Sequence, residues 1–181
     1  SVTNDGFVSE TGVVLIDDLL SGGGMQSMMW TVSLILCALT FGGILETTGM
    51  LNAIAQSILK LAVNTGLLVT ATILSCFTVN LITGEQYLSI VIPGRMFKDA
   101  YADRGLAPVN LSRALEDSGT ITSPLIPWNT CGAFMTATLG ISPLAYAPYA
   151  FLNIINPFVS IFYGFTGITM IKMTEEEKAA Y

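Results

Sequence analysis

Residues 116–130 read EDSGTITSPLIPWNT, and the reading of this stretch decides how the rest of the chain folds. It sets two adjacent carboxylates, Glu116 and Asp117, beside five hydroxyl side chains, Asn129, Gly119 and two prolines. From Ser118 to Ile171 no charged residue follows. Pro124 and Pro127 bring no N–H and bias Ser123 and Ile126 toward extended backbone, so Gly119–Trp128 is predicted not to continue a helix. Acidic, helix-breaking residues leading into such a run make an odd surface loop. They make a reasonable ion site inside a membrane.

Composition agrees with that setting. The 181 residues are 52% hydrophobic and only 11% charged, where a soluble domain carries roughly a quarter charged residues. A net charge of −6 without a basic stripe argues against a nucleic-acid partner. Cys37, Cys76 and Cys131 lie in apolar runs without paired or metal-ligand spacing, and read as small buried hydrophobes. The chain has no histidine, which excludes Ser–His catalysis, His metal centres and imidazole proton shuttles together. Any proton carried here must ride on a carboxylate. The chain opens at Ser1 without the basic flank of a signal peptide and reads as part of a longer protein.

Taken in order, residues 1–24 form a polar segment with Asp5, Glu10, Asp17 and Asp18 but no Lys or Arg, ending in a flexible Ser21–Gly24 entry. Residues 25–45 are apolar and uncharged, long enough to cross a hydrocarbon core of about 30 Å. Glu46 closes that span, where snorkelling to the interface is ordinary. Residues 51–63 repeat apolar groups at helical spacing with Asn52, Gln56 and Lys60 opposite, the pattern of an interfacial helix. Residues 67–94 are apolar but interrupted by Asn80, Thr83, Gly84, Glu85 and Gln86. They form either one broken span or a re-entrant hairpin with its tip at 83–86. A polar cytoplasmic loop follows at 95–109, in a cluster that holds Arg95, Lys98, Arg104 and Arg113. The broken helix occupies 110–140: Asn110 caps a first half ending near Ser118 with Gly119 beyond it, and Asn129 or Thr130 caps a second. A last span covers 143–171, able to bend at Pro148 and Pro157, and 172–181 is a cytoplasmic tail.

Positive charge separates the two readings of 67–94. Cytoplasmic loops are enriched in Lys and Arg. If the acidic N-terminal segment is extracytoplasmic and 67–94 dips in and returns, Lys60, the 95–113 cluster, Lys172 and Lys178 all fall on the cytoplasmic side. A full crossing would strand the cluster outside. The hairpin is the expectation.

The break carries the chemistry. Unpaired backbone groups cost several kcal/mol each in lipid, so an interrupted helix survives only inside protein or beside a cavity. It exposes carbonyl oxygens, and Ser118, Thr120, Thr122, Ser123, Asn129 and Thr130 add neutral ones. A hard monovalent cation suits such a cage, balanced by Asp117 or Glu116. The bland alternative pairs Arg113 with Asp117 at i,i+4. Residues 116 and 117 point about 100° apart on a helix, so at most one faces the ion. The second half of the site is the hairpin tip, Asn80, Thr83, Gly84 and Glu85, because an intramembrane carboxylate is a functional-site hypothesis by default. The bland alternative there is a solvated loop. The aromatic-rich last span reads as packing and interface belt, and its Asn153 and Asn156 are either polar glue or part of the site.

The runs DDLLSGGGMQSMMWT, TGEQYLSIVIPGRMFKDAY and LSRALEDSGTITSPLIPWNTCGAF resemble the NhaC family of sodium/proton antiporters along nearly the whole chain, as the C-terminal half of such a protein. The resemblance implies a multi-pass secondary transporter of the prokaryotic inner membrane within the wider ion transporter superfamily. It implies an all-α polytopic fold of inverted repeats, each with a re-entrant hairpin and a discontinuous helix. The expected cargo is Na⁺ against H⁺, with Na⁺ at the residues just named and no cofactor beyond the transported ions. The absent N-terminal repeat and the lipid bilayer are the expected partners, and a homo-oligomer is compatible. The same family includes malate/lactate exchangers coupled to these ions, so an organic-anion antiporter is the alternative, with half-helix N-termini binding a carboxylate.

Other classes fit less well. A serine intramembrane protease needs a His or Lys base near Ser118 or Ser123, and an aspartyl one needs two facing aspartates; neither is present. A purely structural subunit would leave the oxygens of 116–130 without purpose. The chain is expected not to be an enzyme.

Overall fold

The computed structural model of the protein describes residues 1–174. The predicted tail beyond Thr174, including Lys178, lies outside the described residues. Among these, every regular element is helical, and two isolated antiparallel bridges join Phe7 to Gly22 and Leu106 to Lys172.

The polar N-terminal segment forms α1 (Val2–Asp5) and α2 (Val14–Leu20). Phe7 and Gly22 exchange two backbone hydrogen bonds of 2.8 Å. Gly24 has φ 62°, and a Cβ there would lie 2.7 Å from the Asn4 carbonyl oxygen. The Ser21–Gly24 run, expected to be flexible, is therefore a pinned turn that needs glycine to let α1 approach. It feeds α3 (Gly24–Thr47), which is long and apolar enough to cross a membrane. Leu36, Leu39, Phe41 and Ile44 of α3 are exposed in the isolated chain, a surface suited to lipid. Gly49, left-handed at φ 73°, turns the chain into α4 (Met50–Leu59), which buries Leu51 and Ala55. The amphipathic helix expected over 51–63 thus stops short of Lys60.

Next comes a helical hairpin, α5 (Thr65–Thr83) and α6 (Gln86–Ala102). Asn64 caps α5 by accepting from Leu67 N at 2.8 Å, Gly84 closes it at φ 66°, and Glu85 caps α6 through Tyr87 N. The expected loop over 95–109 is instead helix as far as Ala102. Pro93 disturbs only the turn before it, and Phe97 and Tyr101, 0% and 1% exposed, anchor the later turns on α5. Of the charges that suggested a loop, Arg95 and Lys98 occupy the other face of the same helix, with Asp99 beside them. Leu68, Ala71 and Cys76 of α5 share this core with Leu111, Ala114 and Leu115.

The opening stretch departs from expectation most. Helix α7 (Pro108–Leu115) starts at Pro108, not at an Asn110 cap. It runs on through a π turn at Glu116–Thr120 and a 3₁₀ turn at Ser123–Leu125, and becomes extended only at Ile126, φ −96° and ψ 116°. The break therefore lies at 126–129, not from Gly119 onward. Pro124 sits in the first turn of the 3₁₀ segment, where its missing N–H costs nothing. Gly119 is no helix stop: a Cβ there would lie 3.0 Å from Ile90 Cγ1 and 3.2 Å from Ser89 Oγ, so it admits α6.

Beyond the break, α8 (Thr130–Leu139) is capped by Asn129 and packs on α3. Then α9 (Pro143–Tyr146), with a 3₁₀ turn at Ala147–Tyr149, meets α10 (Phe151–Thr166) at 60°. The bend falls beside Pro148, while Pro157 lies inside α10. Gly167, left-handed at φ 72°, stops α10 at Thr166, short of the expected Ile171. The chain then doubles back: Ala107 N donates to Ile171 O at 3.0 Å and Met173 N to Gly105 O at 2.8 Å. Asn110 clamps Ile171 from both sides, Nδ2 donating to its carbonyl at 2.6 Å and Oδ1 accepting its N–H at 3.0 Å. Arg104 Nη2 donates to the Ala62 carbonyl. The stretch after Lys60, the α6–α7 turn and residues 167–173 thus share one end of the bundle.

Candidate functional site

At the break, a turn over residues 126–129, closed by Asn129 N donating to Ile126 O at 3.1 Å, leans on the tip of the α5–α6 hairpin. Non-helical backbone in an apolar bundle must find partners for its N–H and C=O groups. Thr130 N donates to Gly84 O at 2.9 Å, and Trp128 Nε1 donates to Leu81 O at 2.8 Å. Gly84 is required twice, by its left-handed φ of 66° and because a Cβ would stand 2.9 Å from the Trp128 carbonyl.

Two asparagines lock this crossing from within. Asn80 and Asn129 are both 0% exposed. Asn80 Nδ2 donates to Gly119 O at 2.7 Å and to Thr122 Oγ1 at 3.4 Å, and its Oδ1 accepts from Asn129 Nδ2 at 3.1 Å. Asn129 Oδ1 accepts from Cys131 N at 3.0 Å, which caps α8. Gln86 Oε1 accepts from Ser123 Oγ at 3.1 Å and from Cys131 Sγ at 2.8 Å. Hairpin, π turn and α8 are thereby joined through neutral amides. Gln86, Thr120, Thr130 and Cys131 line one side of a cavity of about 330 Å³ beside this crossing.

The hydroxyls behave alike. Ser118 donates to Ala114 O at 2.6 Å, Thr122 to Ser118 O, and Thr83 to Val79 O at 2.8 Å. Their protons are spent inside their own helices, so what they present elsewhere is oxygen lone pairs.

The acids diverge. Glu116 is exposed and accepts from Thr120 Oγ1 at 2.6 Å. Asp117 is half-buried and accepts from Asn156 Nδ2 of α10 at 2.7 Å. Arg113 does not pair with Asp117; it reaches Thr169, donating to its Oγ1 at 3.1 Å and its carbonyl at 3.3 Å, and lies 6.0 Å from the Tyr163 ring centre. The i,i+4 pairing is thus corrected, because the returning 167–173 segment offers Arg113 better-placed acceptors. Glu85 is half-buried and faces its own helix N-terminus as a cap. Glu46 sits in the last turn of α3, half-buried. No group of three or more His, Cys, Asp or Glu that could hold a metal ion occurs among the described residues.

The sequence left open what Asn153 and Asn156 do. Both face the broken helix, Asn153 Nδ2 donating to Ile121 O at 2.7 Å and Asn156 meeting Asp117. Their spacing of three, in an otherwise apolar helix, was the available signal. Trp128 and Gly132 were not singled out. A Cβ at Gly132 would lie 2.1 Å from Ile126 O.

Fold and site together define a class: a helical membrane protein whose polar groups converge where one of its helices is interrupted. The chain belongs to the Na⁺/H⁺ antiporter family, whose model matches residues 3–168. It is 44% identical to the Na⁺/H⁺ antiporter NhaC of Alkalihalophilus pseudofirmus over 168 residues, 93% of this chain and 36% of that protein. It is 42% identical to the arginine/ornithine antiporter ArcD of Halobacterium salinarum, over 93% of this chain and 35% of that one. The malate-2H⁺/Na⁺-lactate antiporter of Bacillus subtilis is 32% identical over 90% of the chain and 35% of its own length. The NhaC resemblance read from the sequence is borne out, but the chain spans about a third of these relatives, not the expected half. No solved structure matches.

Proposed function

We propose that the whole protein exchanges Na⁺ for H⁺ across a prokaryotic plasma membrane by alternating access, and that this chain supplies one repeat of its transport domain. In this reading α3 and the α9–α10 unit cross the bilayer, and α5–α6 enters from the cytoplasmic side and returns. The interrupted helix from Pro108 to Leu139 crosses beside it.

The observation that carries the reading is the seating of the break on the hairpin tip by Asn80, Asn129, Thr130 and Gly84. A transported ion needs backbone and side-chain oxygens away from both aqueous faces, and interrupted helices are how lipid-embedded proteins provide them. The turn of α6–α7 lies at the bundle's opposite end, and α8 leaves the tip to pack on α3. That arrangement supports a tip held at depth.

Asp117 is the carboxylate for cation and proton, because it is half-buried, unpaired with Arg113 and held by a neutral amide. Ser118, Thr120, Thr122, Ser123, Asn129 and Thr130 supply oxygens from the break; Asn80, Thr83 and Gly84 supply them from the tip. Glu116 and Glu85 are secondary acids at the edge. A site that is neutral when loaded with Na⁺ or H⁺ moves through the low-dielectric interior, and the empty anion does not. One event then serves both ions, in turn.

The test is the full-length protein in liposomes, following internal pH after a Na⁺ pulse. Asp117→Asn is expected to abolish exchange, and Glu116→Gln and Glu85→Gln to reduce it. Wild-type exchange in Asp117→Asn removes the assignment. A second reading has a specific support, the similarity to ArcD at 42% identity. Flux driven by arginine, ornithine, malate or lactate and indifferent to Na⁺ would establish an organic-solute exchanger instead.

A further inference from the structure

We propose that Asn156 of α10 is a cation-selecting ligand, so that the Na⁺ site is an Asp117–Asn156 pair and not a property of the break alone. The inference rests on Asp117 being the cation carboxylate.

Asn156 Nδ2 gives a hydrogen to Asp117 Oδ1 at 2.7 Å, and this is the described polar contact between that carboxylate and α10. The other arm of the Asn156 amide carries an oxygen with two lone pairs that accepts no hydrogen bond among the described residues. The pair therefore has one carboxylate and one amide oxygen to offer a single ion. A hard monovalent cation prefers such a mixture, since a second carboxylate would hold it too firmly to release.

Three further observations favour this place. Arg113, the cation nearest in sequence, is turned to Thr169, so it does not compete for Asp117. Asn153, one turn earlier on the same face, donates to Ile121 O at 2.7 Å and fixes the distance between α10 and the π turn. Pro157 follows Asn156 and has no N–H, so the Asn153 main-chain carbonyl loses its helical donor and adds an oxygen to the same turn. Within the π turn at Glu116–Thr120, Asp117 faces α10 and Glu116 lies on the exposed side. Asn156 thus belongs to the ion, and Asn153 to the scaffold.

The experiment measures exchange by the full-length protein in liposomes over a series of Na⁺ and of Li⁺ concentrations. Variants are Asn156→Leu, Asn156→Ser and, as the scaffold control, Asn153→Leu, each first shown to elute from a sizing column as wild type does. Loss of a hydrogen bond to a charged partner predicts a KM for Na⁺ raised about tenfold or more in Asn156→Leu, with the maximal rate held within about threefold. Asn156→Ser, which keeps an oxygen, falls between. A ligand must also change the ratio of Na⁺ to Li⁺ KM, whereas a spacer moves both together, as Asn153→Leu is expected to do. An unchanged Na⁺ KM, or a KM shift with an unchanged Na⁺/Li⁺ ratio, overturns the inference while leaving Asp117 in place if Asp117→Asn is inactive. Wild-type exchange by Asp117→Asn, or transport without Na⁺, overturns both.

Discussion

Replacing Asn80 by Leu removes the group that holds the break against the hairpin, without changing side-chain size greatly. Asn80 is fully buried and makes a 2.7 Å bond to Gly119 O and a 3.1 Å bond from Asn129 Nδ2. Leucine leaves that carbonyl and that amide nitrogen unsatisfied in an apolar interior. Each orphaned buried partner costs about 1–3 kcal/mol, so the pair costs about 2–6 before relaxation. Burying the leucine methyls returns about 1.5–3 kcal/mol at most. The expected net loss is a few kcal/mol, seen as a lower melting temperature of the full-length protein in detergent. Asn80→Asp keeps the acceptor facing Asn129 but turns a donor into an oxygen facing Gly119 O, so it should lose at least as much at neutral pH.

A double-mutant cycle with Asn129→Ala isolates the shared bond, and a coupling of about 0.5–3 kcal/mol is expected for residues in one network. Melting indistinguishable from wild type in Asn80→Leu, or strict additivity with Asn129→Ala, would refute the view that these amides hold the crossing together. Helix content by circular dichroism should stay unchanged in both. What is lost is the docking of the break, not the helices.

Two other predictions follow from the same geometry. Gly132→Ala places a Cβ 2.1 Å from Ile126 O; the 126–129 turn must shift, costing about 1–3 kcal/mol by overpacking and suppressing Na⁺-driven exchange. Gly43→Ala, with nothing within 4 Å of its Cβ, is the neutral comparison, and equal behaviour of the two would remove the steric argument. In the N-terminal segment, hydrogen bonds from the Thr11 N–H and hydroxyl, both 2.7 Å, together with Gly12 N, hold Asp17 below the ordinary carboxylate value of 3.8. A depressed pKa contributes stability that is full above the ordinary value and is lost as pH falls through the lowered one. Protection of the Thr11 and Gly12 amides from hydrogen exchange should therefore persist at pH 5 and above and fade below about pH 3.8; Asp17→Asn should weaken that protection at neutral pH and make it insensitive to pH there.

The membrane class was legible because hydrophobic runs of span length leave little else to be. The location of the break was less so. Prolines at 124 and 127 were read as stops for everything from Gly119, yet a proline at the start of a 3₁₀ turn is compatible with helix before it, and a π turn absorbs the misfit. Charge misled at 95–102, where Arg95 and Lys98 suggested a loop and instead lie, with Asp99, on one face of α6. The buried Phe97 and Tyr101, spaced four apart, were the better guide. Asp117 and Glu116 were separable in principle by helical geometry, but which of them meets α10 is set by a contact between residues 39 apart, Asp117 and Asn156, that no local pattern encodes.

The crossing and the acids also differ in how complete they are, and that bears on cargo. Asn80, Asn129, Thr130 and Gln86 bond to groups within this chain. Groups engaged in this way stay in place whatever the solute, so these residues hold the break and its oxygens in position and do not distinguish one solute from another. The pair Asp117 and Asn156 is different, with a carboxylate and an amide oxygen left to offer. Relatives named for Na⁺/H⁺ exchange and for arginine/ornithine exchange resemble this third of their length almost equally, at 44% and 42% identity. One framework carrying different solutes is what a self-satisfied crossing permits: a cargo change then needs only the few open groups beside it to differ. Discrimination between Na⁺ and an amino acid should accordingly track the α10 face at Asn153–Pro157 more closely than the amides of the crossing.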